Sequence, residues 1–292
     1  MTSSLRLMAV HAHPDDEASK GAATTAKYVA EGVDVMVVTC TGGERGDVLH
    51  SAADAEVQEL GIAEVRRREM AMAAQILGVQ HAWLGFEDSG FPDPDLPPQL
   101  PAGCFADLPL EVVTLPLVRL MRQFQPQVVT TYDEQGGYPH PDHIRVHEAT
   151  MAAIEAAADP AYDPTTEPWQ VQKIYYNMQF TRARVYALHE AMLAIGAESP
   201  YVDWITRMEQ RPDDSHRITT SVEASTHFAT RDAALLAHRT QVDPAGTWFA
   251  VPLEMQARLW PTEEFELVRS LVPTTIPEND LFAGLRDDVH SS

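Results

Sequence analysis

The first half of the chain alternates short apolar runs with longer segments of helical periodicity. Apolar runs that predict buried strands lie at residues 5–11, 33–40 and 126–131, with a shorter one at 82–84. Helical segments lie at residues 19–31, 62–77, 110–124 and 143–158. Strands that alternate with helices in this way form a parallel sheet covered by helices on both faces. The sequence therefore predicts an α/β fold with a Rossmann-like, mostly parallel sheet.

Beyond Asp159 the alternation weakens. One more strand is predicted at residues 173–176, and helices are predicted at residues 182–195, 221–241 and 263–271. We therefore expect an α/β core over residues 1–160 and a mainly helical C-terminal region over residues 161–292. This second region is expected to complete the sheet and to wall the functional site within one compact unit.

The composition limits the function more than the fold. The chain has 292 residues, and 43 acidic against 21 basic side chains give it a formal charge of -22. This acidic excess argues against nucleic-acid binding, which depends on a basic surface. No apolar stretch approaches the roughly 18 residues that cross a bilayer, and no signal peptide is visible. Two cysteines do not make a disulfide scaffold in a chain of this length, so we expect a cytoplasmic protein. We expect no membrane partner, and the oligomeric state is not indicated.

Four loops rich in glycine and polar residues follow the predicted strands, at residues 11–17, 41–47, 85–92 and 132–143. In parallel α/β sheets, ligands bind beyond the carboxyl ends of the strands. We therefore expect these loops to meet at one rim of the sheet. The Pro-rich segment at residues 92–101 predicts either an ordered excursion or a mobile lid beside them.

Two of these loops carry closely spaced histidines and carboxylates. They are His11-Ala12-His13-Pro14-Asp15-Asp16-Glu17 and Tyr138-Pro139-His140-Pro141-Asp142-His143. A single His-Pro-Asp sequence is more often a turn, but two of them at two strand ends favour a metal site. The mixture of histidine and aspartate suits zinc or a similar first-row ion better than calcium or magnesium.

His13, Asp16 and His143 can supply three ligands and leave a fourth position open for water, as in zinc hydrolases. Zinc-bound water has its pKa lowered to about 7, which supplies hydroxide at neutral pH. Of the neighbours Asp15 and Asp16, one can ligate while the other accepts a proton from that water. The spacing alone does not distinguish the two.

The second cluster offers groups for the later steps of hydrolysis. His140 can donate a hydrogen bond or a proton, and Asp142 can hold that imidazole in one tautomer. The Tyr138 phenol can assist a developing oxyanion. Cys40 is predicted to be a buried strand residue and not a nucleophile, because no histidine or other base pattern accompanies it.

These motifs resemble those of the LmbE-like (PIG-L type) zinc N-deacetylases and amidases. The resemblance covers nearly the whole chain and extends, besides the two clusters, through Ser19-Lys20-Gly21-Ala22-Ala23-Thr24, Thr41-Gly42-Gly43-Glu44-Arg45-Gly46, Trp83-Leu84-Gly85, Asp88-Ser89-Gly90, Thr131-Tyr132-Asp133-Glu134, Gly136-Gly137 and Trp260-Pro261-Thr262-Glu263-Glu264-Phe265-Glu266-Leu267. Within this family, the chain is most similar to the amidase branch that acts on mycothiol S-conjugates.

The resemblance implies one zinc ion per chain, and a site of this kind also accepts Fe²⁺. It implies Asp15 as the general base and, as metal ligands, His13, Asp16 and His143. It further implies that His140 contacts the tetrahedral intermediate, oriented by Asp142 and assisted by Tyr138.

The partner implied by the resemblance is a small-molecule thiol–sugar conjugate. Cleavage is expected at the amide between N-acyl-cysteine and glucosaminyl-inositol. Such a reaction serves detoxification, or the processing of a mycothiol adduct in secondary-metabolite biosynthesis.

Five further residues are candidate substrate contacts: Lys20, Glu44, Arg66, Asp88 and Gln241. By resemblance, Arg66 approaches inositol hydroxyls, and the alternative is a residue on a solvated helix face. Asp88 lies in a loop on the predicted rim, where it can bind sugar hydroxyls, and the alternative is a turn cap. Glu44 lies in a Gly-rich loop without a phosphate-binding fingerprint. Lys20 stands where the amidase branch has lysine, and otherwise it is a surface residue. Gln241 and His238 belong to a segment that approaches the site or, almost equally, ends a surface helix.

The chain departs from close relatives at Ala18, where serine is expected, and in the loops at residues 47–60 and 91–100. These loops should border the pocket, so the identity of the S-linked group stays open. A second candidate function is deacetylation of N-acetylglucosaminyl-inositol with the same metal and residues. A third, from another class, is a conjugate-binding protein with a degenerate site, which the presence of every expected ligand and of the base disfavours.

Overall fold

The computed structural model describes residues 4–92, 99–178, 180–210 and 212–286 of the chain. The strands within these residues are β1 Arg6–His11, β2 Asp34–Thr41, β3 Gln80–Phe86, β4 Val128–Thr131, β5 Lys173–Met178, β6 Thr220–Glu223 and β7 Thr262–Ser270. They form one seven-stranded sheet in the order β3-β2-β1-β4-β5-β7-β6.

The sheet is parallel from β3 to β5 and antiparallel beyond β5. Parallel pairs join β1 to β2 and to β4, β2 to β3, and β4 to β5. β7 runs antiparallel to both β5 and β6. The predicted α/β fold with a mostly parallel sheet is confirmed. The strand order changes sense between β1 and β4, and this is where ligands bind in open parallel sheets.

Helices cover both faces of the sheet. Those within the described residues are α1 Asp16–Ser19, α2 Ala22–Ala30, α3 Asp54–Leu60, α4 Ile62–Leu77, α5 Leu110–Phe124, α6 Pro141–Ala158, α7 Arg182–Ala194, α8 Val202–Met208, α9 Phe228–Ala237 and α10 Leu253–Leu259. Met8 and Val10 of β1 pack against α5 and α6, whereas Ala9 packs with Met70 of α4. Successive side chains of a strand point to opposite faces, so a strand covered on both faces is apolar throughout.

The C-terminal region is mainly helical through α7 to α10, but it contains more strand than the sequence predicts. The predicted helix at residues 263–271 is wrong because this segment forms β7, and the one at 221–241 is wrong at its start, where β6 precedes α9. β7 hydrogen-bonds to β5 on one side and to β6 on the other. Its Phe265 is buried, with its ring 6.4 Å from that of Tyr175. Two neighbouring strands and this burial outweigh the helix propensity of the glutamates in β7.

The predicted helix at residues 19–31 is interrupted. α1 ends at Ser19, Lys20 is extended, and Gly21 has φ 74° before α2 begins. Glycine adopts this left-handed conformation without the steric cost of a Cβ atom. The interruption places the Lys20 side chain beside Asp16 of α1, with Nζ 2.5 Å from Oδ1.

Cys40 and Cys104 are buried and form no disulfide, and burial raises the pKa of the Cys40 thiol well above its usual value. In the part of the chain that the structure describes, no helix has the length and apolar character to span a membrane. Residues 93–98 of the predicted Pro-rich segment lie outside the described residues. The division of the chain at residue 160 stays a prediction.

Candidate metal centre

The predicted loops meet at the carboxyl ends of the parallel strands. Arg66 of α4 donates hydrogen bonds to Pro14 O at 2.7 Å and to Gly43 O at 2.5 Å, so it joins the loops after β1 and β2. The Ser89 N–H donates to Asp142 Oδ2 at 3.0 Å, which joins the loop after β3 to the segment after β4. Because β1 and β4 are neighbouring strands, the four loops share one rim, and the predicted convergence is confirmed.

The start of α6 places the second cluster. His140 is the N-cap residue of α6, and its Nδ1 accepts a hydrogen bond from the Asp142 N–H at 3.1 Å. Pro141 follows at a position where a helix loses no hydrogen bond through the missing N–H. His143 therefore lies in the first turn of α6, with Nε2 3.4 Å from Asp16 Oδ2. The His-Pro-Asp-His sequence is thus a helix start that also directs imidazoles at the loop after β1.

His13, Asp16 and His143 lie close enough together to hold one metal ion. Asp16 Oδ2 lies 3.5 Å from His13 Nδ1 and 3.4 Å from His143 Nε2. A tetrahedral ion with bonds of about 2.1 Å holds its ligand atoms about 3.4 Å apart. His143 Nε2 is also buried without a hydrogen-bond partner among the described residues. A bound ion would satisfy this nitrogen, so the three residues fit a metal.

A second group, His13, Asp88 and His140, also brings its ligand atoms within reach of one ion. In this group His13 would ligate through Nε2, which lies 3.5 Å from Asp88 Oδ1. That nitrogen already lies 3.2 Å from Asp142 Oδ2. A ligating histidine normally donates its other ring N–H to a carboxylate. With Nε2 donating to Asp142, His13 has Nδ1 for the metal, which favours the group that contains Asp16 and His143.

The charges around His13 favour a cation. Burial opposes protonation of His13, but hydrogen bonds with Asp142, Asp16 and Asp88 raise its pKa well above the usual value. Burial lowers the pKa of His143, so this imidazole is neutral, as ligation requires. Burial alone would raise the pKa of Asp16, yet the Lys20 ammonium and the hydrogen bond with His13 hold it well below its usual range. The centre therefore offers an ionised carboxylate and a neutral imidazole amid several negative charges.

Asp15, between the two candidate ligands of the first cluster, has an unusual backbone conformation with φ 113° and ψ -27°. Residues other than glycine rarely adopt positive φ, and such strain concentrates at functional sites. The Asp15 N–H donates to Glu17 Oε2 at 3.0 Å, and Glu17 Oε1 accepts from His238 Nε2 at 2.6 Å. The buried pair of Glu17 and His238 thus supports the strained residue.

The Asp15 side chain faces the cavity above the ligands and is a quarter exposed. Partial burial raises the pKa of its carboxyl, Arg66 lowers it with Nη2 3.4 Å from Oδ2, and the neighbouring Asp16 raises it. A carboxylate with a raised pKa suits proton transfer at neutral pH. The structure therefore brings the predicted base to the open side of the centre.

His143 is held between two tyrosine rings. Tyr132 stacks on it with 4.3 Å between ring centroids, and Tyr138 meets it edge-on at 4.5 Å. His143 Nδ1 donates to Gly136 O at 2.9 Å, which leaves Nε2 for the metal. Tyr132 and Gly136 belong to the motifs that resemble the family, but they were not predicted as site residues. The sequence signal that could have identified them is their position in the polar loop after β4.

Asp142 contacts a different histidine from the one expected. Its carboxylate bonds to His13 and to Ser89, whereas His140 receives only the backbone N–H of Asp142. Successive side chains of a helix diverge by about 100°, so the residue after Pro141 turns away from the N-cap and towards the loop after β1. Ser89, which also fixes Asp142 through its hydroxyl, was not predicted as a site residue.

Three of the five candidate substrate contacts join the loops of the rim to one another. Arg66 is only 3% exposed, and its guanidinium is occupied by the two loop carbonyls. Glu44 Oε1 accepts the Asp88 N–H at 2.8 Å. Asp88 is buried, and its carboxylate accepts N–H groups from Arg45 at 2.9 Å and from Gly90 at 2.8 Å. These three side chains brace the loops, and their contact with substrate stays a prediction.

The other two candidates, Lys20 and Gln241, line a cavity of about 350 Å³ that contains Asp15 and Asp16. Gln241 Nε2 donates to Asp47 O at 2.9 Å, so the C-terminal segment closes over the loop after β2. Residues 238–241 therefore approach the site, and His238 is fully buried and not on a helix surface.

Known proteins match this chain over its whole length. A family model described as GlcNAc-PI de-N-acetylase (PIG-L) matches residues 8–154. The chain is 57% identical over 293 residues to the mycothiol S-conjugate amidase of Streptomyces coelicolor, covering 99% of this chain and 100% of the relative. It is 39% identical over 301 residues to the 1D-myo-inositol 2-acetamido-2-deoxy-alpha-D-glucopyranoside deacetylase of Geodermatophilus obscurus, covering 98% of this chain and 99% of the relative.

Two solved structures share the fold. The N,N'-diacetylchitobiose deacetylase of Pyrococcus horikoshii gives a TM-score of 0.60 at 19% identity, covering 91% of this chain and 84% of that one. A conserved protein of Thermus thermophilus gives a TM-score of 0.61 at 22% identity, covering 92% of this chain and 97% of that one. The family match spans both clusters and confirms the resemblance predicted from the motifs. The chain therefore belongs to the PIG-L (LmbE-like) family.

Proposed function

We propose that this protein is a zinc-dependent amidase that hydrolyses the amide between N-acyl-cysteine and glucosaminyl-inositol in mycothiol S-conjugates. The observation that carries the proposal is the group of His13, Asp16 and His143 with Asp15 beside it. That group lies in a chain 57% identical, end to end, to an amidase of this name. The cellular role is detoxification, or processing of a mycothiol adduct in a biosynthetic pathway.

Zinc is the proposed metal because two imidazoles and one carboxylate, at separations that suit tetrahedral bonds, are a common zinc donor set. When bound there, zinc supplies a Lewis acid that polarises the amide carbonyl and lowers the pKa of a coordinated water. Fe²⁺ is an accepted substitute for the same donors.

Asp15 is the proposed base. Its carboxylate stands on the cavity side of the centre and has a raised pKa, so it can accept a proton from the attacking water. The same proton can then pass to the glucosamine nitrogen, which leaves as an amine. The strained backbone, held by Glu17, keeps the carboxylate in place during both transfers.

His140 is a proposed donor to the developing oxyanion. Burial, together with the neighbouring His13, lowers its pKa to about 3, so the imidazole is neutral. Its Nδ1 accepts the Asp142 N–H, which assigns the ring proton to Nε2. Burial and nearby carboxylates raise the pKa of Tyr138, so its phenol also keeps a proton to donate. Preorganised donors of this kind contribute several kcal/mol to acyl-transfer reactions.

The proposal is tested by supplying the zinc-loaded protein with a bimane S-conjugate of mycothiol and, separately, with N-acetylglucosaminyl-inositol, and measuring amine release. We expect faster turnover of the conjugate. We expect Asp15→Asn to lower kcat by about 10²- to 10⁴-fold with its zinc content unchanged. Faster turnover of the acetylated sugar would make the protein a deacetylase, and full activity of Asp15→Asn would overturn the mechanism.

A further inference from the structure

A second, larger cavity of about 590 Å³ adjoins the one above the metal ligands. The two cavities share four lining residues, Ser19, Lys20, Tyr138 and Trp248. The larger one is therefore an extension of the proposed active site.

The walls of the two cavities differ in chemistry. The smaller cavity is lined by the carboxylates of Asp15, Asp16 and Asp243 and by the amide of Gln241. The larger cavity contains five large apolar side chains from the C-terminal region, which we call the aromatic compartment: Met178, Phe180, Trp204, Met208 and Trp248. The larger cavity is also lined by charged residues, namely Asp133, Arg182, Arg207, Asp213 and Asp214. A polar cavity and one with a large apolar wall thus meet beside the candidate metal centre.

The aromatic compartment is built around Phe180. The Phe180 ring lies 4.7 Å from that of Trp204 and 5.3 Å from that of Trp248. Its backbone has φ 54°, a left-handed conformation that is strained for a residue with a Cβ. Trp204 is 37% exposed although it is a large aromatic residue. Strain and incomplete burial at the same cluster are typical of a binding surface.

On the basis of the proposed function, we infer that the aromatic compartment binds the S-linked group of the substrate and selects conjugates with a large apolar, preferably aromatic, substituent on sulfur. The scissile amide lies between a sugar–inositol part rich in hydroxyls and a cysteine part that carries the substituent. The polar cavity suits the first part, and the aromatic compartment suits the second. An acetyl group would leave most of the 590 Å³ unfilled.

The side chains of the aromatic compartment also predict how selective it is. Thioether side chains such as Met178 and Met208 are unbranched and adapt to irregular shapes. Aromatic faces accept other rings in several orientations. The compartment therefore selects size and apolar character, and accepts many shapes.

The test compares the zinc-loaded parent with Trp204→Ala on two mycothiol conjugates, one with a bimane group and one with a methyl group on sulfur. Trp204 is chosen because its partial exposure makes its loss tolerable for folding. Val202→Ala is the matched control, since Val202 lies on the same helix, is 56% exposed and does not line the cavity. We expect Trp204→Ala to raise KM for the bimane conjugate by about tenfold, with kcat and the methyl conjugate little changed.

Three outcomes contradict these expectations. If the parent hydrolyses both conjugates and Trp204→Ala affects them equally or not at all, the aromatic compartment is not the subsite, while the proposed function stands. A similar loss in Val202→Ala would assign the effect to α8 as a whole and also overturn the inference. If the zinc-loaded parent hydrolyses neither conjugate, the proposed function fails and the inference fails with it.

Discussion

Gly136 is the position at which one added methyl group should separate metal binding from folding. Its carbonyl accepts the hydrogen bond from His143 Nδ1. An added Cβ would lie 2.6 Å from the Cβ of His143 and 3.0 Å from both Ile144 N and Tyr138 O. Contacts below 3.0 Å do not occur between real Cβ atoms and their neighbours, so His143 has to move in Gly136→Ala.

The adjacent Gly137 provides a matched control. Its φ of 73° is nearly the same as the 74° of Gly136, but an added Cβ there has nothing within 4 Å. Alanine at either position therefore carries the same cost of a left-handed backbone, about 1–2 kcal/mol of unfolding free energy. Only Gly136→Ala adds the displacement of His143, the proposed metal ligand. Disturbing a group that orients a ligand typically lowers metal affinity by about 10- to 100-fold.

We would measure zinc affinity by competition with a chromogenic chelator, and the unfolding free energy of the metal-free variants in urea. We expect Gly137→Ala to lose stability and keep the parent's zinc affinity, and Gly136→Ala to bind zinc about 10- to 100-fold more weakly. Equal zinc affinities in the two variants would refute the assignment of His143 as a ligand held by Gly136.

Two further predictions concern groups around the centre. Asp142→Asn should weaken zinc binding by about 10- to 100-fold in the same competition assay, because the carboxylate orients His13; an unchanged affinity would refute this role. Burial opposes protonation of His238, but Glu17 raises its pKa above the usual value. Its stabilising contribution is therefore complete below about pH 6.5 and is lost as the pH rises through the raised pKa. Urea unfolding of the parent should show falling stability above that pH, His238→Gln should flatten this slope, and an identical slope in both proteins would contradict the assignment.

The parts of the fold that sequence reasoning predicted well are those with strong local periodicity. The predicted helix at residues 110–124 has the same bounds as α5. Its apolar residues repeat at helical spacing along its whole length, so the local pattern is clear. Residues 262–270 carry no such clear pattern, since their few apolar residues stand among glutamates and other polar residues. Whether such a segment is a strand or a helix depends on the strands beside it, which lie far away in sequence.

The candidate site divides in the same way. The residue types that bind a metal are visible in the two His-Pro-Asp clusters, and so is their location at strand ends. The partner of Asp142 is not visible, because it depends on the direction in which the first turn of α6 points the side chain. The burial of Arg66 and the pairing of Glu17 with His238 are hidden for the same reason, since each joins segments that meet only in the folded chain.

By itself, the sequence determined the α/β class, the residue types of the candidate metal centre and the rim of the sheet where that centre lies, because strand and helix periods and residue types are local properties. Only the tertiary structure decided that β7 is a strand, that the Asp142 carboxylate faces His13, and that an aromatic compartment adjoins the polar cavity. The physical reason is that these features depend on distances between side chains that are far apart in the chain, and local preferences of only tenths of a kcal/mol per residue are overridden by tertiary packing.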